Sequence, residues 1–452
     1  MLVAIRRVHL SPFPFPAQGY LVGGAVRDLM LGKRPKDLDF VVPNPEEAAR
    51  DLAHRLGGSI FPLDEKRRFW RVVAPGTTYD YAPMPQGLEV DLLRRDFTLN
   101  ALAVNEQGLV LGLPIARYDL EHRLLRAIRK ANLWEDPLRS LRAVRITLTA
   151  GLRLEPHTEG WIYEHAQYLR ESGALPAWER VGEELSQILR HPAAAVGFLR
   201  LERAGLLEVY LPELAAGIGV EQHGAHHLDV WRHSLEVLAQ LTLLRPDAHL
   251  ALRWAALLHD VAKPQTRQWS PEKGRYTFYG HDALGAEQAR QILNRLRQPS
   301  EVVAEAVRLV RLHMQHPPQG GRELRRFLHR RREALPELIW LQLADMTGIL
   351  GYRERVEELR EQLQAIESLA EGTPSPKPLL DGREVMRLLG LEPGPKVGEA
   401  LAALLEAQAI GEVQSRTEAA SFLRDAFGED KGRMSGGGGS GGGGSHHHHH
   451  HC

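Results

Sequence analysis

The residues best suited to handling a phosphate lie between Tyr20 and Pro43, in the run YLVGGAVRDLMLGKRPKDLDFVVP. Asp37 and Asp39 stand two apart at the entry to an apolar run, so on a strand both carboxylates project from one face. Hard divalent ions take carboxylate oxygens, and Mg²⁺ is usually held by one or two of them while substrate phosphates complete its octahedron. Gly23 and Gly24 precede a short helical run that Arg27 and Asp28 open and Gly32 ends. Two glycines there let the backbone approach an anion closely. A glycine pair alone is usually a turn, and Asp-x-Asp alone is a common surface pattern. It is the succession GG, RD, DLD that reads as a nucleoside-triphosphate site.

That succession resembles the head signature of the class II tRNA nucleotidyltransferase and bacterial poly(A) polymerase superfamily. The resemblance implies that Asp37 and Asp39 are catalytic Mg²⁺ ligands and that Gly23, Gly24, Arg27 and Asp28 help bind the nucleotide. It also implies a third carboxylate on a neighbouring strand. Asp80, in Thr77 to Ala82, is the matching position, with Glu89 and Asp91 as competitors. Next, LLRRDFTLNALA from Leu92 matches the family's RRDFTxNA motif at every defined position. By itself the run supplies guanidinium forks for phosphates and polar groups for a ribose. By resemblance, Asp96 and Asn100 lie near the sugar and Arg95 near phosphate. A family element between Gly108 and Leu125 is altered, and only Asp119-Leu120 of its pattern remains.

From Trp134 the sequence WEDPLRSLRAVR begins a helix. Pro137 suits the first turn and Asp136 the N-cap. Asp136 and Arg139 are three apart, on one helical face, where an acceptor beside a guanidinium donor is able to read a base edge. An ordinary cap with a salt bridge explains the same spacing. The family's EDxxRxxR motif assigns Asp136 and Arg139 to selecting the incoming nucleotide, with Arg142 beside them. Glu179-Arg180, before a helix containing Glu183 and Glu184, resembles a further orienting motif.

A second constellation lies between Ala215 and Leu350: HHLDVWRH from His226, LLHDVAKP from Leu257, Gly280-His281-Asp282, and Leu343-Ala344-Asp345. Imidazoles and carboxylates from separate helices make a mixed nitrogen and oxygen metal site. The LLHDVAKP context resembles the HD phosphohydrolase superfamily. Carried over, His233, His259, Asp260 and Asp345 are ligands of a divalent metal, and Lys263 and His281 face phosphate. Retention of the bundle for structure alone is the plain alternative.

These residues need elements to hold them. Short β-like runs at Gly19–Val22, Leu38–Val42, Trp70–Ala74, Thr77–Ala82 and Ala101–Asn105 mix with helices up to about residue 130, after which apolar spacing is helical. The expected class is α+β: a small mixed α/β nucleotidyltransferase head, then a long all-α body containing an HD-type helical bundle. With 452 residues the chain has room for roughly three domains. The expected division is a head over residues 1–130, a helical neck over 131–214, an HD-like domain over 215–371 and a C-terminal helical module for tRNA over 372–433. A Pro-rich linker, GTPSPKPLL from Gly372, opens that last module. Residues 434–452 are a Gly-Ser linker, a histidine tag and the only cysteine, so no disulfide framework is available.

Lys plus Arg and Asp plus Glu both number 57, so RNA binding must come from local patches such as RRFLHRRRE from Arg325. No apolar run approaches the about 20 residues that span a bilayer. Pro12, Pro14 and Pro16 break the N-terminal apolar stretch, and the expected compartment is the cytoplasm. The partners implied are tRNA with CTP and/or ATP, without a membrane. Only MPQGLEVDLL separates the Asp80 strand from RRDFT, a short connection that favours a member adding CC alone or A alone with a companion enzyme over one building the whole CCA end. The alternatives are a poly(A) polymerase, although a long basic tail is missing, and an HD phosphohydrolase acting on RNA ends or nucleotides.

Overall fold

The computed structural model describes residues 1–10, 14–222, 227–347, 353–372 and 377–428. Pro12, His226, residues 373–376 of the Pro-rich segment and the tail from residue 434 lie outside the described residues. The chain forms two compact units, Met1–Ala215 and Ala216–Cys452.

The first unit opens with β1 (Val3–Arg7), β2 (Tyr20–Val22), α1 (Gly24–Met30), β3 (Asp37–Val41) and α2 (Pro45–Leu56). Then follow β4 (Ser59–Asp64), β5 (Phe69–Ala74), β6 (Thr77–Ala82), α3 (Leu88–Leu93), β7 (Ala103–Val104), β8 (Leu109–Gly112) and α4 (Ile115–His122). The eight strands make one sheet in the order β1-β8-β7-β2-β3-β6-β5-β4. Within this sheet, among the described residues, only β3 and β6 pair in parallel, and the crossover between them carries α2, β4 and β5. The strand β3 buries Leu38 and Phe40 and leaves Asp37 and Asp39 exposed, the period-two alternation expected of a strand with one packed face.

Two strands differ from the sequence expectation for identifiable reasons. Val3–Arg7 pairs with β8 although Arg6 and Arg7 face solvent. Ser59–Asp64 contains Pro62, which a central strand does not tolerate, and it lies at the sheet edge. The helix α1 begins at Gly24, so Arg27 and Asp28 sit within it rather than at its opening.

The rest of this unit is helical: β9 (Leu124–Leu125), α5 (Lys130–Glu135), α6 (Leu138–Thr149), β10 (Arg153–Leu154), α7 (Pro156–Ser172), α8 (Trp178–Arg190), α9 (Ala194–Arg203), α10 (Leu207–Tyr210) and α11 (Pro212–Ala215). Asp136 breaks the path between α5 and α6 with an extended backbone. Residues Glu179 and Arg180 belong to the first turn of α8, not to a segment before it.

The second unit contains α12 (Val230–Leu244), α13 (Leu250–Leu258), α14 (Lys263–Thr266), β11 (Gln268–Ser270), β12 (Arg275–Thr277), α15 (His281–Arg295), α16 (Ser300–Leu312), α17 (Gly321–Arg330) and α18 (Glu337–Thr347). It ends with α19 (Arg353–Gly372), α20 (Gly382–Leu389), α21 (Pro395–Ala409) and α22 (Arg416–Phe427). Helices α12, α13, α15, α16 and α18 pack as a bundle around buried residues that include Trp231 and Trp254. The last three helices close over their own core of Val385, Ala400, Leu404 and Leu423. Among the described residues no helix is long and apolar enough to cross a membrane.

Candidate active site and metal centre

Parallel pairing of β3 with β6 sets Asp39 directly beside Asp80, and Asp37 beside Thr78. Asp80 is therefore inside the sheet, not on an edge. Its carboxylate accepts two hydrogen bonds from Arg71 on β5, at 2.8 and 3.0 Å. The competitors point elsewhere: Glu89 meets the N-terminal amine at 2.5 Å, and Asp91 accepts from Arg95 at 3.1 Å. Burial of the strand floor, then the neighbouring Asp80 and Asp37 carboxylates, push the Asp39 pKa up to about 6 against the pull of Arg95. Like charges confined to one face disfavour ionisation, and a divalent cation relieves that repulsion.

Asp39, Asp80 and Arg95 line a cleft of about 200 Å³ with Val22, Phe69 and Tyr81. Gly23, with φ of 76°, borders it. A Cβ there would come within 3.2 Å of Arg95 Nη1 and 4.0 Å of Asp39 Oδ2, so a side chain would intrude on the space between anion-binding and cation-binding groups.

A buried polar chain runs behind the cleft. Arg27 Nη1 donates to Asn100 Oδ1 at 2.5 Å, Asn100 Nδ2 donates to Asp96 Oδ1 at 3.1 Å, and Arg142 Nη1 donates to Asp96 Oδ2 at 3.4 Å. Arg27 also pairs with Asp28 at 3.2 Å, and burial lowers its pKa from the usual guanidinium value. Arg142 and Arg145 both reach Glu184 on α8. Asp119, the remnant of the altered element, is fully buried. It accepts from Thr98 Oγ1 at 2.7 Å and from Arg126 Nε at 3.1 Å, so it anchors the end of the RRDFT segment.

Arg139 N–H donates to the Asp136 carbonyl at 3.0 Å, but the two side chains turn to other partners. Asp136 accepts from the Leu138 N–H at 3.1 Å and from Arg180 at 2.8 and 3.2 Å. Burial opposes its ionisation, but the Arg180 guanidinium and that N–H prevail and hold it below the usual carboxylate range. Arg139 Nη1 donates to the Asn132 carbonyl at 2.7 Å, and Asn132 in turn donates to the carbonyls of Leu93 and Arg95. The two side chains are thus fixed from different directions, one by α8 and one by the segment carrying Arg95.

In the second unit, His233 Nε2 lies 2.6 Å from Asp345 Oδ1, and His259 Nε2 lies 3.1 Å from Asp260 Oδ2. The ligand atoms of these four residues fall within 4.8 Å of one another. Burial opposes charge on both aspartates, yet His259 and Lys263 draw Asp260, and His233 and His259 draw Asp345, well below the ordinary range. His259 Nδ1 is 2.7 Å from the Ala256 carbonyl, which turns Nε2 inward, as an outer partner does for a metal-ligating imidazole. The set fits a divalent ion with mixed nitrogen and oxygen ligands.

The Poly A polymerase head domain family matches residues 19–86, the Probable RNA and SrmB- binding site of polymerase A matches 151–218, and the HD domain matches 230–347. The chain is 48% identical over 425 residues to an A-adding tRNA nucleotidyltransferase of Deinococcus radiodurans, covering 93% of this chain and 97% of that protein. The chain belongs to the tRNA nucleotidyltransferase family. A CC-adding tRNA nucleotidyltransferase of Thermus thermophilus is also 48% identical, over 94% of this chain and 97% of its own length. Among solved structures, the Bacillus stearothermophilus CCA-adding enzyme in complex with CTP superposes with a TM-score of 0.65 at 26% identity, covering 90% of this chain and 92% of the other. Membership of this nucleotidyltransferase family brings divalent-metal chemistry with the fold.

Three residues of this tRNA nucleotidyltransferase family member escaped the sequence reading as site residues. Glu184, named there only as part of a helix, joins the polar chain to α8. Asn132 links Arg139 to the Arg95 segment. His313 faces Asp260 Oδ1 at 3.6 Å and His281 Nε2 at 3.2 Å. No spacing rule ties His313 to the HD pair, since it arrives from α16's end about fifty residues later. Within the basic run from Arg325, Arg326 and Arg330 of α17 pair with Glu406 of α21 at 3.2 and 2.8 Å, while Arg325 is exposed.

Proposed function

We propose that this protein is a template-independent nucleotidyltransferase that adds C or A from CTP or ATP to the 3′ end of tRNA and releases pyrophosphate. The observation that carries this reading is the side-by-side pairing of Asp39 with Asp80 beneath Gly23 and Arg95, in a chain 48% identical to A-adding and CC-adding enzymes. Asp37, Asp39 and Asp80 would hold Mg²⁺, which would supply charge neutralisation at the reacting phosphate and lower the pKa of the attacking hydroxyl. Arg95 sits where the triphosphate passes over Gly23. Asp96 and Asn100, fixed by Arg27 and Arg142, receive the ribose, and Asp136 with Arg139 meets the base edge. The RNA 3′-oxygen forms its bond to the α-phosphorus as the bond to pyrophosphate breaks, so positioning and electrostatics do most of the work.

Residues 1–130 form the catalytic head in this reading, 131–214 the neck, 215–371 the HD domain and 372–433 the tRNA-facing module. The buried His233, His259, Asp260 and Asp345 set supports a second, metal-dependent phosphoester hydrolysis in the HD domain. A protein of this kind works where tRNA matures, in the cytoplasm, with a companion enzyme supplying the remaining nucleotides.

Three tRNA transcripts, ending at the discriminator base, after C and after CC, test the reading with CTP, ATP or both. Growth by two C residues that then stops identifies CC addition. Extension of the CC-ended transcript alone by ATP identifies A addition. Completion of CCA from the bare end overturns the single-step reading, and an ATP ladder on any RNA replaces it with poly(A) synthesis.

A further inference from the structure

Residues 267–279 join α14 to α15 and contain the hairpin of β11 and β12. Among the described residues no Trp, Tyr or Phe is more exposed than Trp269, at 56%, and Tyr279, at 53%. Trp269 and Tyr276 stand opposite each other across the two strands, so both side chains lie on one face of the hairpin. Their ring centroids are 5.2 Å apart with the planes at 78°. The same segment holds three cations, Arg267, Lys273 and Arg275, against Glu272 alone. Two of the three sit over rings: Arg267 Cζ is 4.4 Å from the centroid of Tyr276, and Lys273 Nζ is 5.0 Å from that of Tyr279.

A two-stranded hairpin is marginal in water by itself, so something must anchor this one. The anchoring falls to the other residues. Phe278 and Met314 form a small core against which Tyr276 packs, and Arg267 Nη1 donates to the Glu221 carbonyl at 3.4 Å. Trp269 meanwhile leaves more than half of its surface to water. Exposed rings interleaved with cations suit one kind of occupant best, a single-stranded nucleic acid, whose bases stack on the rings while its phosphates meet the charges. The buried centre of a protein interface is instead depleted of charge.

The segment also runs directly into the HD centre. Lys263 Nζ lies 5.1 Å from the Phe278 ring centroid and 3.2 Å from Asp260 Oδ2, and the Phe278 carbonyl is 2.9 Å from His281 Nδ1. We propose that residues 267–279 form a base-stacking platform for single-stranded RNA, with Trp269 and Tyr279 as the stacking rings and Lys273 and Arg275 as the phosphate contacts. That the platform serves the neighbouring centre rests on the reading of that centre as acting on phosphoesters. The stacking itself does not.

A base stacked on an indole quenches its fluorescence, so Trp269 reports its own occupancy. The full chain and Trp269→Phe are titrated with an unstructured RNA of about six nucleotides, and the difference between the two curves belongs to Trp269. The expected result is a saturable quench that Trp269→Phe loses in large part. Tyr279→Ala should move that quench to about fivefold higher RNA concentration, the low end of what one stacked base contributes, and Tyr279→Phe should restore it. Lys273→Ala should weaken binding with a shallower salt dependence, which keeps the test open if Tyr279→Ala does not fold. Equal quenching in the full chain and Trp269→Phe places the RNA elsewhere and overturns the proposal. So does an unmoved quench in folded Tyr279→Ala, or an equal quench by the same sequence as a duplex or by CMP alone. Hydrolysis of bis-p-nitrophenyl phosphate by the full chain with Mn²⁺ is read separately. Its absence removes the phosphoester reading of the HD centre, while a Trp269 quench still supports the platform.

Discussion

Asp39 is under two opposing demands, exposed enough to meet a ligand yet crowded by Asp80 and Asp37 so that its pKa rises to about 6. A carboxyl raised in this way destabilises the metal-free fold as pH climbs from the unfolded value near 3.8 toward about 6, because the unfolded chain ionises first. A bound cation reverses that cost and must displace the proton. Metal-dependent stabilisation should therefore be small below the Asp39 pKa and grow above it. Thermal melts with and without Mg²⁺ across that range check this, and a Mg²⁺ effect that is constant with pH contradicts it. Asp39→Asn should leave the metal-free melting point unchanged or slightly raised. The same change should cut nucleotide transfer by about 10³-fold or more, the several kcal/mol that a lost metal ligand removes. Arg180→Met removes the guanidinium that holds Asp136 and touches nothing in the carboxylate cleft. It should raise the KM for the nucleotide about tenfold, some 1.4 kcal/mol, with kcat less affected. Steady-state kinetics with each nucleotide decides this, and an equal fall in kcat would move Arg180 into the chemistry.

At the scale of elements, β3 and β6 were legible because their alternation puts charge on one face and packing on the other. The register that brings Asp39 beside Asp80 was not, since it depends on a parallel crossover through α2, β4 and β5. The edge strand β4 was hidden by Pro62, and β1 by its exposed arginines. Asp136 and Arg139 were expected on one helical face, but Asp136 is extended between α5 and α6, and their partners, Arg180 and Asn132, come from α8 and α5. His313 had no signal because its relation to Asp260 is made only by the packing of α15, α16 and α13.

The junction of β10 with α7 offers a test of how the neck is held. The buried Glu155 carboxylate accepts from the N–H groups of His157 and Thr158 at 3.0 and 2.9 Å, and Arg126 lies 3.5 Å away. Burial opposes its charge, but those donors draw its pKa down to about 2. A depressed carboxylate contributes stability that is present above its unfolded value of 4.5 and is lost as pH falls toward about 2. Glu155→Ala should cost about 2 kcal/mol at neutral pH and less in acid, where the native cap is itself neutralised. Urea unfolding at the two pH values measures the difference, and an equal loss at both would show that packing rather than charge is at stake.

Over the whole molecule, positive and negative side chains balance, so attraction to RNA has to be local. Part of the arginine run in α17 pairs with Glu406, which ties α21 to α17, while Arg325 stays exposed. The two chemical centres draw on separate residue sets in separate compact units. His259→Ala should consequently abolish metal binding in the HD bundle while nucleotide addition persists at close to the native rate, and coupled loss of both would mean that the bundle supports the head. The proposed nucleotide transfer to tRNA rests on the paired aspartates of β3 and β6. The most direct measurement is the rate of labelled CTP and ATP incorporation at the 3′ end of tRNA transcripts, with the native chain and Asp39→Asn compared at equal folded concentration. The account predicts incorporation that ends after the added C or A residues and is lost in Asp39→Asn. Undiminished incorporation by Asp39→Asn, or none by the folded native chain on any transcript, would contradict it.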